Sequence, residues 1–102
     1  MISDKEISTE DIFVLYGTES SGLYMSEILN QLGCKIYAYV DSSESKQGDV
    51  FLGKTIYSPK GIYNLKNNYT KILIASSAQQ EISEILTNIG FKKRIDYIIL
   101  PI

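Results

Sequence analysis

Two stretches of the chain carry the same grammar, and this repetition narrows the possible folds more than any other feature. Ile12-Phe13-Val14-Leu15-Tyr16 is an unbroken apolar run stopped at Gly17. A polar loop follows, then Met25, Ile28, Leu29 and Leu32 at helical spacing, then Gly33, then a second apolar run from Ile36 to Val40. The order returns with Ile72-Leu73-Ile74-Ala75, a loop, Ile82, Ile85, Leu86 and Ile89, Gly90, and a last run from Asp96 to Leu100. Successive apolar residues suit a strand buried on both faces, and the i, i+3, i+4, i+7 stripe suits a helix laid across it. A glycine after each stripe suits the left-handed residue that ends a helix. Between the two stretches, Lys54 to Tyr57 reads as a short strand. Ser58-Pro59 starts a helix over 60–66, with the proline in its first turn. Residues 42–50 read as a long exposed connection, Phe51-Leu52-Gly53 as a turn packing back, and Asn67-Asn68 as a loop.

Strands alternating with helices imply a parallel sheet covered on both faces, joined by right-handed crossovers. The predicted fold class is therefore α/β, a doubly wound three-layer sandwich. Its sheet has five parallel strands in the order 3-2-1-4-5. Strands one and four then lie side by side where the winding reverses, and ligands bind outside the carboxyl ends of the strands at such a point. Residues 12–102 are read as one domain, and residues 1–11, rich in Asp and Glu, as a flexible acidic lead-in.

Composition removes whole classes of chemistry. Histidine is absent, so there is no Ser-His-Asp triad, no Cys-His pair and no imidazole metal ligand. Cys34 is the sole cysteine, which excludes an intrachain disulfide and a thiolate zinc site. It reads as a small buried hydrophobe. Ten basic residues against twelve acidic ones give a net charge of -2, which argues against nucleic-acid binding through bulk charge. No apolar run approaches the ~20 residues of a membrane helix, and the polar N-terminus does not read as a signal peptide. The expected compartment is a reducing cytoplasm.

The candidate site begins at Gly17-Thr18-Glu19-Ser20-Ser21-Gly22. A dinucleotide fingerprint reads G-x-G-x-x-G between a strand and a helix. The first and third glycines are here as Gly17, for a tight turn, and Gly22, for close helix-to-strand contact. Glu19 replaces the middle glycine and adds bulk and charge where a pyrophosphate would sit. Helix-terminal amides favour an anion, and Ser20 and Ser21 add hydroxyls. Asp41 ends the second strand 24 positions after Gly17, where a carboxylate can accept both hydroxyls of a ribose and repel a 2′-phosphate. Ser42 follows it. Ser76 and Ser77 end the fourth strand, with Gln79 beyond, and face the Gly17 loop across the crevice. Tyr16 walls it. The plainer alternatives are a tight capped turn for the glycine loop, a strand-ending turn for Asp41, and caps of the third helix for Ser76 and Ser77. No Tyr-x-x-x-Lys pair occurs. Lys92-Lys93-Arg94 reads as a solvated turn.

Together the Gly17–Gly22 loop, Tyr39-Val40-Asp41, Gly48, Gly53-Lys54-Thr55-Ile56-Tyr57-Ser58-Pro59 and Ile74-Ala75-Ser76 carry a family likeness. The chain resembles the Rossmann-like nucleotide-binding domain at the front of bacterial polysaccharide-biosynthesis proteins. Those include nucleotide-sugar dehydratases and epimerases, and sugar acyltransferases. The resemblance spans about residues 12–100. It implies NAD or a nucleotide-sugar at the Gly17 loop, with Asp41 at a ribose or uridine. It also implies catalytic parts in another domain or subunit, and cytoplasmic work on cell-surface carbohydrate. Glu19 departs from the small residue common in that family. Three roles follow as expectations. One is a binding module without catalytic residues of its own. The second is a structural or oligomerisation domain, possible as a homodimer, with a decayed nucleotide site. The third is a small NAD-dependent sugar-nucleotide enzyme.

Overall fold

Side chains alternate across the first strand, and both sets are buried. In the computed structural model, which describes residues 7–99, β1 spans Ile12–Tyr16. Phe13 and Leu15 join one apolar cluster, and Val14 and Tyr16 join the other. A strand packed on both faces shows no polar alternation, so β1 reads as a continuous apolar run. The chain continues through α1 (Ser20–Gln31), β2 (Lys35–Val40), β3 (Val50–Phe51) and β4 (Lys54–Tyr57). Then come α2 (Pro59–Asn64), a 3-10 turn at Lys66–Asn68, β5 (Lys71–Ile74), α3 (Gln79–Ile89) and β6 (Tyr97–Ile99). Residues 1–6 of the acidic lead-in, and the expected strand end at Leu100 with its stop at Pro101, lie outside the described residues. Within the described part of the lead-in, Ile7 packs on the core.

The sheet has six strands in the order β3-β4-β2-β1-β5-β6, which corrects the expected five-stranded, all-parallel sheet of order 3-2-1-4-5. β1 pairs parallel with β2 and β5, β2 with β4, and β5 with β6. The difference is an added edge strand. β3 runs antiparallel to β4, with Val50 opposite Thr55 and Phe51 opposite Lys54. Leu52 and Gly53 form the two-residue link, and both have positive φ, at 50° and 81°. That is the backbone of a hairpin whose twist matches the strands it joins. So Phe51-Leu52-Gly53 is not a simple turn. The Phe51 ring meets Tyr39 edge-on, with centroids 4.8 Å apart.

Helices α2 and α3 cover one face through Ile62, Ile82 and Leu86, and α1 covers the other through Met25 and Leu29. The buried stripe of α1 is Gly22, Met25, Ser26 and Leu29. It sits a turn earlier than the apolar spacing indicates, and Leu32 falls at the C-cap, 51% exposed. Ser26 belongs inside because its hydroxyl bonds the Gly22 carbonyl at 2.7 Å and the Tyr39 hydroxyl at 2.8 Å. Cys34 is buried. Gly33 and Gly90 follow their helices with φ of 79° and 127°. Asn67-Asn68, expected as plain loop, lies in the 3-10 turn. No described helix is long and apolar enough to cross a membrane.

Candidate functional site

The carboxyl ends of four neighbouring strands are stitched together by backbone. The Asp41 amide donates to the Tyr57 carbonyl at 3.2 Å, Gly17 to Val40 at 2.9 Å, and Ala75 to Tyr16 at 3.0 Å. This row makes the floor of an open cleft of about 470 Å³. Its walls are the start of α1, the 42–46 connection and the start of α3.

The glycine loop is shaped by contact. A Cβ on Gly17 meets the Ala75 carbonyl oxygen at 2.3 Å, and one on Gly22 meets the Gly17 carbonyl oxygen at 2.2 Å. Only glycine lets β1, β5 and α1 approach this closely, which is the first- and third-glycine arrangement of the fingerprint. Gly22 is buried beneath the loop and does not line the cleft. The other nine expected positions do: Gly17, Thr18, Glu19, Ser20, Ser21, Asp41, Ser42, Ser76 and Ser77. Glu19 stands at the N-cap of α1 and makes no side-chain capping bond. Its side chain is 84% exposed and meets Lys46 Nζ at 3.3 Å. Its charge is thus turned to the rim, away from the loop's interior. The first turn of α1 carries no acidic residue, so its amide end keeps its attraction for an anion.

Asp41 is held from several sides. Oδ2 accepts a 2.6 Å hydrogen bond from the Thr18 hydroxyl, and Oδ1 accepts one from the Ser43 amide at 2.8 Å. Gln47 Nε2 donates to its carbonyl at 3.0 Å, and Lys46 Nζ lies 3.8 Å from Oδ2. The strand-ending turn expected at Asp41 is therefore present, closed by the Ser43 amide. Each carboxylate oxygen keeps acceptor capacity beyond these bonds.

The hydroxyls of Tyr16 and Ser42 share a short hydrogen bond at the floor. Burial raises the Tyr16 phenol above its ordinary value, the Ser42 bond draws it back, and the charges of Asp41 and Glu81 raise it further. On the α3 side, the Ser76 hydroxyl accepts from the Ala78 amide at 3.1 Å, but Ala78 is the N-cap. So neither Ser76 nor Ser77 caps α3 as expected. They stand in the loop before it. Ser43, Lys46 and Glu81 line the cleft without having been singled out by their sequence pattern. Glu81 lies in the first turn of α3. Lys46 comes from a loop whose path is set by tertiary contacts. Among the described residues, no group of three or more Cys, Asp or Glu is placed to hold a metal.

Comparison with solved structures places this architecture among Rossmann-like folds. UDP-D-quinovosamine 4-dehydrogenase from Vibrio fischeri is similar, with a TM-score of 0.67 and 26% identity over 89% of this chain and 78% of that one. RSP, a Rex-family repressor, shares the fold at a TM-score of 0.65 and 13% identity, over 90% of this chain and 46% of the repressor. The structure of RSP with beta-NADH gives a TM-score of 0.62, again at 13% identity, over 90% of this chain and 47% of that one. No curated protein matches the chain. The family described as C2185-like, N-terminal, matches residues 9–98, and the chain belongs to it.

Proposed function

We propose that this domain is a nucleotide-binding module that holds a nucleotide-sugar or NAD(H) in the cleft over β1, β2 and β5. The observation that carries the reading is the fixed Asp41 carboxylate, 2.6 Å from the Thr18 hydroxyl, beside the amide end of α1. One cleft thus offers an acceptor for a ribose diol next to a seat for phosphate. The likeness at 26% identity to an enzyme whose name specifies a UDP-sugar supports this ligand class. On this reading the chain supplies binding and no catalytic group. It serves a bacterial cell-surface polysaccharide-biosynthesis protein in the cytoplasm, alongside another domain or subunit. Asp41 also repels a 2′-phosphate, so NAD(H) is preferred to NADP(H).

Titration calorimetry with UDP-sugars, NAD+, NADH, NADP+ and coenzyme A tests the proposal. Saturable binding of a UDP-sugar or NAD(H), weakened at least about tenfold in Asp41→Ala, is the expected result. Lack of binding by all five at millimolar concentration sinks it. A second reading, a structural or oligomerisation domain with a decayed site, draws on the lining charges: Glu19, Asp41 and Glu81 outnumber Lys46. It expects no binding by the wild type and recovery of binding in Glu19→Gly.

A further inference from the structure

Lys46 is the one cationic residue among the described residues that line the cleft. Its ammonium is 3.3 Å from Glu19 Oε2 at the start of α1 and 3.8 Å from Asp41 Oδ2 at the end of β2. It therefore spans the two places that the proposed function gives to a phosphate and a ribose. We infer that Lys46 reads the phosphate of the ligand, and that Glu19 is its resident counter-ion, displaced when the anionic ligand enters. The inference rests on the nucleotide reading above and deepens it.

Three physical points carry it. First, the backbone bearing Lys46 is anchored while its side chain is adjustable. The Lys46 amide donates to the Ser43 carbonyl and its carbonyl accepts from Asp49, both at 3.1 Å. Gln47 adds its bond to the Asp41 carbonyl. Second, the partner is weakly held. Glu19 is 84% exposed, and an exposed Lys–Glu pair contributes little and is screened by salt. Third, the competitor is stronger. A phosphate presents more charge and more acceptor atoms than a carboxylate, and here it also meets the uncapped amide end of α1. Glu19 then acts as a stand-in that keeps Lys46 over the mouth. Bringing Lys46 across also offsets the charge that the fingerprint's missing middle glycine introduces.

The test compares phosphorylated and phosphate-free probes by calorimetry: UDP with uridine, and NAD+ with adenosine. Lys46→Met is expected to weaken whichever phosphorylated probe binds by about tenfold, and to leave its nucleoside partner within twofold. Glu19→Gln is expected to tighten the same probe about threefold, with a smaller gain when Lys46 is already Met. Lys46→Arg should retain most of the affinity. Equal losses for nucleoside and nucleotide in Lys46→Met overturn the inference, because that pattern marks a structural role. Nucleotide affinity unchanged in both variants overturns it while leaving the site reading intact. Failure of every probe to bind the wild type overturns both readings together.

Discussion

Replacing Gly22 with alanine reverses the usual sign of a glycine-to-alanine change in a helix. Gly22 lies in the first turn of α1 with ordinary helical backbone, so alanine alone gains about 1 kcal/mol from helix propensity. The added Cβ, however, meets the Gly17 carbonyl oxygen at 2.2 Å and its carbon at 2.9 Å. Both are backbone atoms, so no rotamer change relieves the clash. Either α1 lifts from β1 or the loop shifts, and overpacking of this kind costs roughly 1–3 kcal/mol, here toward the upper end. The net expectation is a loss of about 1–2 kcal/mol. For a domain near 100 residues that lowers Tm by roughly 5–15 °C. Thermal melts followed by far-UV circular dichroism read the change directly. Tyrosine fluorescence gives a second probe, since the chain has eight tyrosines and no tryptophan. Gly17→Ala should cost more still, because its Cβ meets the Ala75 oxygen at 2.3 Å and its φ is 135°. A Gly22→Ala variant with Tm at or above the wild type refutes the close-approach argument.

Two further outcomes follow from the same contacts. Burial raises the phenols of Tyr16, Tyr39 and Tyr69, so each folded value lies above the unfolded one near 10. Their contribution to stability is complete below about pH 10 and is lost as pH rises through the folded values. Tyrosinate absorbance should show these three ionising late, together with unfolding; eight tyrosines ionising in one early step with the fold intact contradicts it. Thr18→Val removes the 2.6 Å bond to Asp41 from a residue only 9% exposed. A loss of about 1 kcal/mol is expected in urea melts, and an unchanged midpoint counts against the bond's structural role.

The parallel strands were legible because burial on both faces forces the unbroken runs of β1, β2 and β5. Gly17, Gly22, Gly33 and Gly90 were legible because each meets a backbone demand that other residues resist. The β3 strand was not. Two residues carry no period, and the hairpin depends on Leu52 accepting a positive φ. The inner face of α1 was misplaced by one turn because Gly22 and Ser26 count as polar or neutral in any apolar pattern. Gly22 is buried for want of space and Ser26 because its hydroxyl is satisfied. In the cleft, Gly17 to Ser21 and Asp41 were visible as a motif adjoining strand ends. Lys46 and Glu81 were not, because folding and not sequence proximity brings Lys46 to Glu19 and Asp41 and sets Glu81 in the same cleft. The same holds for the pairing of Glu19 with Lys46 at the rim.

The row of backbone bonds from Tyr57 through Asp41, Val40, Gly17 and Tyr16 to Ala75 divides the cleft by timescale. Amides buried in a continuous sheet exchange with solvent deuterium only when the whole domain opens. The Gly17, Asp41 and Ala75 amides, each bonded across the sheet, are expected in that slowest class, whereas the bonds of the more exposed 42–49 connection are expected to open sooner. A ligand held as proposed above would therefore meet a floor that opens only with the fold, and side chains such as Lys46 that can adjust above it.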